Sequence, residues 1–271
     1  MKALFFDLDG TLLTSDKTIA PSTRSAILEA RQRGVKAFIA TGRSFYLDKM
    51  LGWTDEDFAL FDGGVYCNGG CICLDGETHC SLIDPQAIRI VLEEAARFPE
   101  VHMSLHGPRD EHAFNFTMPK ALWGPWGLCQ ERILPLDDRI IQGCIKLLLF
   151  YDELVNSTRV LPPELFSRIQ ARCEGLANVY LTDQGRAIQM VSCNSGKRAG
   201  IEFVRKRLGL QAEDVAVFGD DLNDMDMLSF YPNSVAMGNG APQVKTAARY
   251  ITLSCDEDGI AYALKTLLHI I

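Results

Sequence analysis

Two carboxylates, Asp7 and Asp9, stand two residues apart in the stretch Phe5-Phe6-Asp7-Leu8-Asp9-Gly10-Thr11. They follow directly on the apolar run Ala3 to Phe6, which reads as a buried parallel strand. Acids at the end of a core strand are costly unless a cation or a reacting group faces them. Two more strand-like runs end in polar groups. Val35 to Ala40 ends in Thr41-Gly42-Arg43, and Val215 to Phe218 ends in Gly219-Asp220-Asp221-Leu222-Asn223-Asp224. A helix start carries Lys197 after Ser195-Gly196.

If these strands are neighbours in one parallel sheet, all the groups meet on one edge, where open α/β sheets bind ligands. Hard carboxylate oxygens suit Mg²⁺, which keeps several waters and takes few protein ligands. The Thr41 hydroxyl, the Gly42 amide and the Lys197 ammonium suit phosphate oxygens. A metal, a phosphate cradle and a spare carboxylate together point to phosphoryl transfer.

The elements that must position these groups follow from the pattern. The first third alternates strand and helix: the Ala3 strand, a helix over Pro21 to Arg33, the Val35 strand, a helix from about Ser44, and a strand over Phe58 to Phe61. Val65 to Leu82 reads as a hairpin turning at Asp75-Gly76. The middle third carries a helix begun by Asp84-Pro85, one over Pro163 to Arg172, and several short strands. The last third returns to alternation. This predicts an α/β fold, a Rossmann-like parallel-sheet core built from residues 1–82 and 186–271, with an α+β cap inserted over 83–185.

Composition narrows the partners. With 27 basic and 35 acidic residues the formal charge is −8, which disfavours a nucleic-acid binder. No run approaches the ~20 apolar residues of a membrane span and no secretory signal is visible, so a cytoplasmic location is expected. The nine cysteines read as reduced thiols. The cluster Cys67, Cys71, Cys73, His79 and Cys80 fits no paired zinc pattern. His102, His106, Arg109 and His112 read as cap surface, and Trp123 and Trp126 as loop anchors.

At this point the chain resembles the haloacid dehalogenase-like (HAD) superfamily, and within it the Cof-type sugar-phosphate phosphatases with a large α/β cap. The motifs that carry the likeness are Asp7-Leu8-Asp9-Gly10-Thr11, Thr41-Gly42-Arg43, Lys197 and Gly219-Asp220-Asp221-Leu222-Asn223-Asp224, with Asn68-Gly69 and Met237-Gly238-Asn239 beside them. The resemblance implies that Asp7 is the nucleophile that forms an aspartyl-phosphate and that Asp9 is the general acid and base. It implies Mg²⁺ held by Asp7, Asp220 and the Asp9 backbone carbonyl, with Asp224 beside it directly or through water. Leu8 (by its amide), Thr41, Gly42, Lys197 and Asn223 would hold the phosphate. Position 221 is Asp where relatives often carry a small polar residue, and Gly196 stands where Ser or Thr is usual.

The expected activity is a Mg²⁺-dependent phosphatase acting on a small phosphorylated metabolite, a sugar phosphate by resemblance, with no nucleic-acid or membrane partner, as a monomer or weak homo-oligomer. The alternatives are a phosphomutase, which would need a second, basic phosphate site in the cap, and a non-catalytic phosphometabolite sensor. The basic residues of the cap, Arg97, Arg109, Lys120, Arg132, Arg139 and Lys146, show no cluster along the chain.

Overall fold

The computed structural model describes residues 1–151 and 159–271. The chain divides into two compact units, one made of residues 1–44, 53–78 and 197–271, the other of 45–52 and 79–196.

The first unit is built on an eight-stranded sheet with the order β13-β12-β11-β1-β2-β3-β4-β5. Its strands are β1 (Ala3–Phe6), β2 (Lys36–Ala40), β3 (Gly63–Tyr66), β4 (Cys71–Leu74), β5 (Glu77–Cys80), β11 (Val215–Gly219), β12 (Asn233–Ala236) and β13 (Tyr250–Ile251). The pairs from β13 through β3 are parallel, and β4 runs antiparallel to β3. The central strands are apolar on both faces because both are covered, as a parallel sheet requires. Phe5 and Phe38 stack at 4.8 Å on one face, and Phe6 meets Phe218 at 4.8 Å on the other. The helix Pro21–Gln32 packs on β2, and the helix Lys197–Arg207 packs on β2, β3 and β4.

The second unit carries a five-stranded sheet, β7-β6-β8-β10-β9, made of β6 (His102–His106), β7 (His112–Phe114), β8 (Lys146–Phe150), β9 (Ala177–Thr182) and β10 (Ala187–Ser192). Every recorded pair in it is antiparallel. Met103, Leu105, Ala113, Leu147, Leu149, Ile188 and Met190 form one apolar face with the helices Pro85–Ala95 and Pro163–Arg172. Alternation puts the intervening residues on the other face.

Several sequence expectations shift. The Phe58 to Phe61 run is not a strand. A Thr54 capping box starts the short helix Asp55–Phe58 there, and the strand begins at Gly63. Glycine at 63 allows close approach, because a Cβ there would lie 2.3 Å from the Cys73 carbonyl oxygen. The inserted unit is also larger than residues 83–185. It takes in β10, whose ladders with β8 and β9 place it in the second sheet, and the short helix Leu47–Leu51, which packs on the helix Trp123–Trp126. The hairpin turns at Asp75-Gly76 as expected, which sets Cys71 opposite Cys80. Both are disulfide-bonded, correcting the reading of reduced thiols for these two, while Cys67 and Cys73 take part in no disulfide.

One close approach fixes the helix that carries Lys197. A Cβ on Gly200 would lie 2.4 Å from Val65 Cγ1 on β3. Gly200→Ala is expected to lower stability by about 1–3 kcal/mol from overpacking, outweighing the ~1 kcal/mol that alanine adds to a helix. Urea unfolding measures the balance, and a variant as stable as wild type would contradict this packing.

Candidate active site

Parallel pairing of β11, β1 and β2 brings the carboxyl ends of three adjacent strands to one edge. Asp7 follows β1, Thr41 follows β2, and Asp220 follows β11. Backbone bonds carry the strand pairing past the named ends, with the Asp7 amide donating to the Phe218 carbonyl at 3.0 Å and the Thr41 amide to Val65 at 2.8 Å.

Lys197 opens its helix and is fully buried. Its ammonium donates to Asp7 Oδ1 and to Asp224 Oδ1, each at 2.6 Å. Burial alone would lower its pKa, but the Asp224 and Asp7 charges outweigh that and raise it. Asp224 uses its other oxygen to accept from the amides of Asp220 and Asp221, at 2.9 and 3.1 Å. It therefore pins the loop after β11 while orienting Lys197.

Asp7, Asp220 and Asp224 each offer an oxygen within 4.8 Å of the others. Asp220 Oδ1 accepts from the Thr11 hydroxyl at 2.7 Å. Burial first, and then the Asp224 charge, push the Asp220 carboxyl up to about 7. Burial also raises Asp7 well above the usual carboxylate range, with Lys197 pulling it back and Asp224 and Asp220 adding to the rise. Three hard oxygen donors crowded in a partly dry site are the donor set of a hard divalent cation, so these residues fit Mg²⁺. The approach is close enough that a Cβ on Gly10, at φ +79°, would lie 2.4 Å from Asp220 Oδ2. Only glycine allows this turn and this contact together.

Asp9 is placed differently. Its carboxylate takes a two-point bond from Arg43, Nε to Oδ2 at 2.6 Å and Nη2 to Oδ1 at 2.7 Å, and a third from Lys17 at 2.8 Å. Burial works against ionisation there, but Arg43 and Lys17 overcome it and hold the carboxyl far below its usual range. The Asp9 side chain is not part of the acidic cluster. Thr41 is buried, and its hydroxyl accepts from the Arg43 amide at 3.1 Å. Asn223 is buried and donates from Nδ2 to Asn68 Oδ1 at 3.0 Å. Leu8 is buried behind Asp7, and Gly42 lies between Thr41 and Arg43.

The structure thus brings Asp7, Lys197, Asp220 and Asp224 into direct contact or near contact. Sequence reasoning did not assign Thr11 as the support of Asp220, nor Arg43 and Lys17 as the partners of Asp9. Thr11 and Arg43 sit inside the quoted motifs, so their positions were in view. Lys17 carries no motif signal. Asn239 also supports the site, donating to the Gly10 carbonyl at 2.7 Å.

Acids at adjacent parallel strand ends, bridged by a buried ammonium, define the class as an α/β enzyme of phosphate-type chemistry. A family model of haloacid dehalogenase-like hydrolases matches residues 4–264. The chain belongs to this family and is an enzyme of its phosphatase type. A Bacillus subtilis protein named "Putative phosphatase YkrA" is 32% identical over 98% of this chain and 97% of its own length. The B. subtilis protein YwtE, named a 5-amino-6-(5-phospho-D-ribitylamino)uracil phosphatase, is 25% identical over 99% of this chain and 98% of its own. Among solved structures, the HAD subclass IIB sugar phosphatase BT4131 shares the fold, with a TM-score of 0.79 at 24% identity over the full length of both chains.

The raised Asp220 makes a stability prediction. A carboxyl whose folded pKa lies above its unfolded value binds more protons when folded, so its contribution is favourable at low pH. That contribution is lost as pH rises from about 4 through about 7. Asp220→Asn keeps the acceptor for Thr11 and removes the charge. In chelator the variant is expected to melt above wild type at pH 8, with the gap closing toward pH 4. A variant that melts lower at pH 8 would contradict the repulsion described.

Proposed function

We propose that the protein is a Mg²⁺-dependent phosphomonoesterase that hydrolyses a small phosphorylated metabolite, a sugar phosphate or similar polyol phosphate, through an aspartyl-phosphate on Asp7. The observation that carries this reading is the placement of the Asp7 carboxylate between a buried ammonium and two further carboxylates. The identity of YwtE as a phosphatase of a ribityl phosphate supports the substrate class.

Asp7 would attack phosphorus and the ester oxygen would leave with the bonding pair. Lys197 would neutralise part of the charge on Asp7 and on the phosphoryl oxygens, with the Thr41 hydroxyl, the Gly42 and Leu8 amides and Asn223 bonding the rest. Asp7, Asp220 and the Asp9 carbonyl would hold the metal, with Asp224 alongside. When bound, the ion offsets the repulsion between an anionic nucleophile and an anionic ester.

Asp9 would protonate the leaving oxygen, then take a proton from the water that hydrolyses the acyl-phosphate. Its contacts in this structure keep it ionised, the form that takes the proton. Donation to the leaving oxygen therefore requires the Arg43 and Lys17 contacts to open first. A phosphomutase built on the same groups would return a bisphosphate, and release of inorganic phosphate without one separates the two.

The test is a phosphate-ester panel that includes sugar phosphates and 5-amino-6-(5-phospho-D-ribitylamino)uracil, run with Mg²⁺ and with chelator on wild type and Asp7→Asn. Wild type should release phosphate only with the metal. Asp7→Asn should lose roughly 10³-fold or more of kcat, the scale seen when a nucleophile is removed. Asp7→Asn turning over at wild-type rates would end the aspartyl-phosphate reading.

A further inference from the structure

Lys197 is placed by the first turn of its own helix, and that turn takes no cap from the residues just before it. The helix starts at Lys197. Gly196, the preceding residue, has no side chain to accept an open amide. Ser195 buries its hydroxyl, and that hydroxyl has no hydrogen-bond partner among the described residues. No acid lies in the first turn either. The open amides and positive end of a helix ordinarily take an acceptor at this point.

The acceptor comes from another helix. Asp226 lies on the helix Met225–Phe230, and its Oδ2 accepts from the Arg198 amide at 3.1 Å. One turn further along, the Arg198 guanidinium lies over the Phe230 ring, 3.7 Å from its centre. The same helix follows directly on Asp224, whose Oδ1 accepts from the Lys197 ammonium at 2.6 Å. Two hydrogen bonds, one from a side chain and one from the backbone, therefore close a small ring through Lys197, Asp224, Asp226 and Arg198. A lysine held only at its tip swings on a flexible four-carbon stem. Here the backbone at the root of the stem is tied to the helix that carries the carboxylate at its tip.

The other Asp226 oxygen, Oδ1, is buried with no hydrogen-bond partner among the described residues. A buried acceptor left unbonded is destabilising. Stability alone therefore favours a side chain without that second oxygen, and the bond to Arg198 is what the carboxylate contributes. The two helices meet again at Tyr231, whose hydroxyl donates to Glu202 at 2.7 Å, more than one turn beyond Lys197.

We propose that Asp226 is a positioning residue for the phosphoryl chemistry. By capping the Lys197 helix from outside, it sets the root of the lysine so that the ammonium meets Asp7 and Asp224 together. Asp226 acts through Lys197 and not on the substrate. Its effect on rate rests on the phosphatase reading, and its effect on where Lys197 lies does not.

The test compares Asp226→Ala, Asp226→Asn and Tyr231→Phe in the full chain, with p-nitrophenyl phosphate as the probe ester and Mg²⁺ as the metal. Asp226→Ala should lower kcat roughly 10- to 100-fold, the scale of a misplaced catalytic group. KM and the Mg²⁺ concentration for half-activation should stay within about twofold, since Lys197 acts most strongly on charge that develops in the transition state. Asp226→Asn keeps an oxygen for the Arg198 amide and should hold kcat within about threefold of wild type. Tyr231→Phe loosens the same pair of helices away from Lys197, and should lower the melting temperature while kcat stays within about twofold. Without any substrate, the ¹⁵N signal of the Lys197 ammonium in metal-free protein should shift more in Asp226→Ala than in either other variant.

Thermal unfolding checks that Asp226→Ala folds. If it does not, Phe230→Ala, which removes the Arg198 stack from the same helix, should lower kcat in its place. Wild-type kcat in the folded variant, an equal loss in Asp226→Asn, a loss recovered by raising Mg²⁺, or an unmoved Lys197 signal overturns the inference. If the Lys197 signal shifts as described but wild type hydrolyses no ester, the phosphatase reading falls and the placement of Lys197 by Asp226 stands.

Discussion

The site depends on one buried charge. Lys197 is an ammonium with no exposed surface, and it is tolerated only because two carboxylates bond it at 2.6 Å. The dependence is mutual. Asp7 and Asp224 sit at the end of an apolar parallel sheet with Asp220 beside them, and three carboxylates there repel one another in a medium of low dielectric. Lys197 supplies a fixed positive charge, and a hard cation on the same oxygens would supply more. Removing either partner of such a pair costs far more than the pair contributes, because the remaining charge stays buried alone.

Backbone geometry converts that requirement into a fold. The helix that starts at Lys197 lies close to β3 because position 200 has no side chain, and the turn after Asp9 meets Asp220 because position 10 has none. The β11-β1-β2 order puts the strand ends side by side, at the switch point where the chain leaves β1 in both directions. Asp9, two residues from Asp7, points to a different set of partners. One short segment therefore holds two carboxyls with opposite tendencies, Asp7 raised by burial and Asp9 depressed by Arg43 and Lys17. Without a cation at the acidic cluster, Asp9 is thus the carboxyl held ionised and Asp7 the one whose ionisation burial opposes.

Much of this was legible in the chain because the groups follow apolar strands and keep short, fixed spacings. Asp7, Asp220 and Asp224 meet as the motifs suggest, and Lys197 joins them from a distance of 190 residues. What was not legible depends on tertiary context. Phe58 to Phe61 has the composition of a strand, but a capping box at Thr54 overrides it. The close approach of Gly63 to the Cys73 carbonyl depends on the pairing of β3 with β4 and has no local signal. Lys17 reaches Asp9 through a turn with no sequence signature. His112, read from the sequence as surface, is buried. His112, His106 and Lys146 come opposite one another only through the register of three strands, two of them separated along the chain by more than thirty residues. No one-dimensional count of basic residues could display it.

The most direct measurement of the central claim is a double-mutant cycle on stability with Lys197→Met and Asp7→Asn in metal-free protein. Lys197→Met alone should cost about 3–5 kcal/mol, since it leaves buried carboxylates unpaired. Adding Asp7→Asn should return part of that loss, a coupling of about 0.5–3 kcal/mol. Strictly additive effects, or a Lys197→Met variant as stable as wild type, would contradict the account.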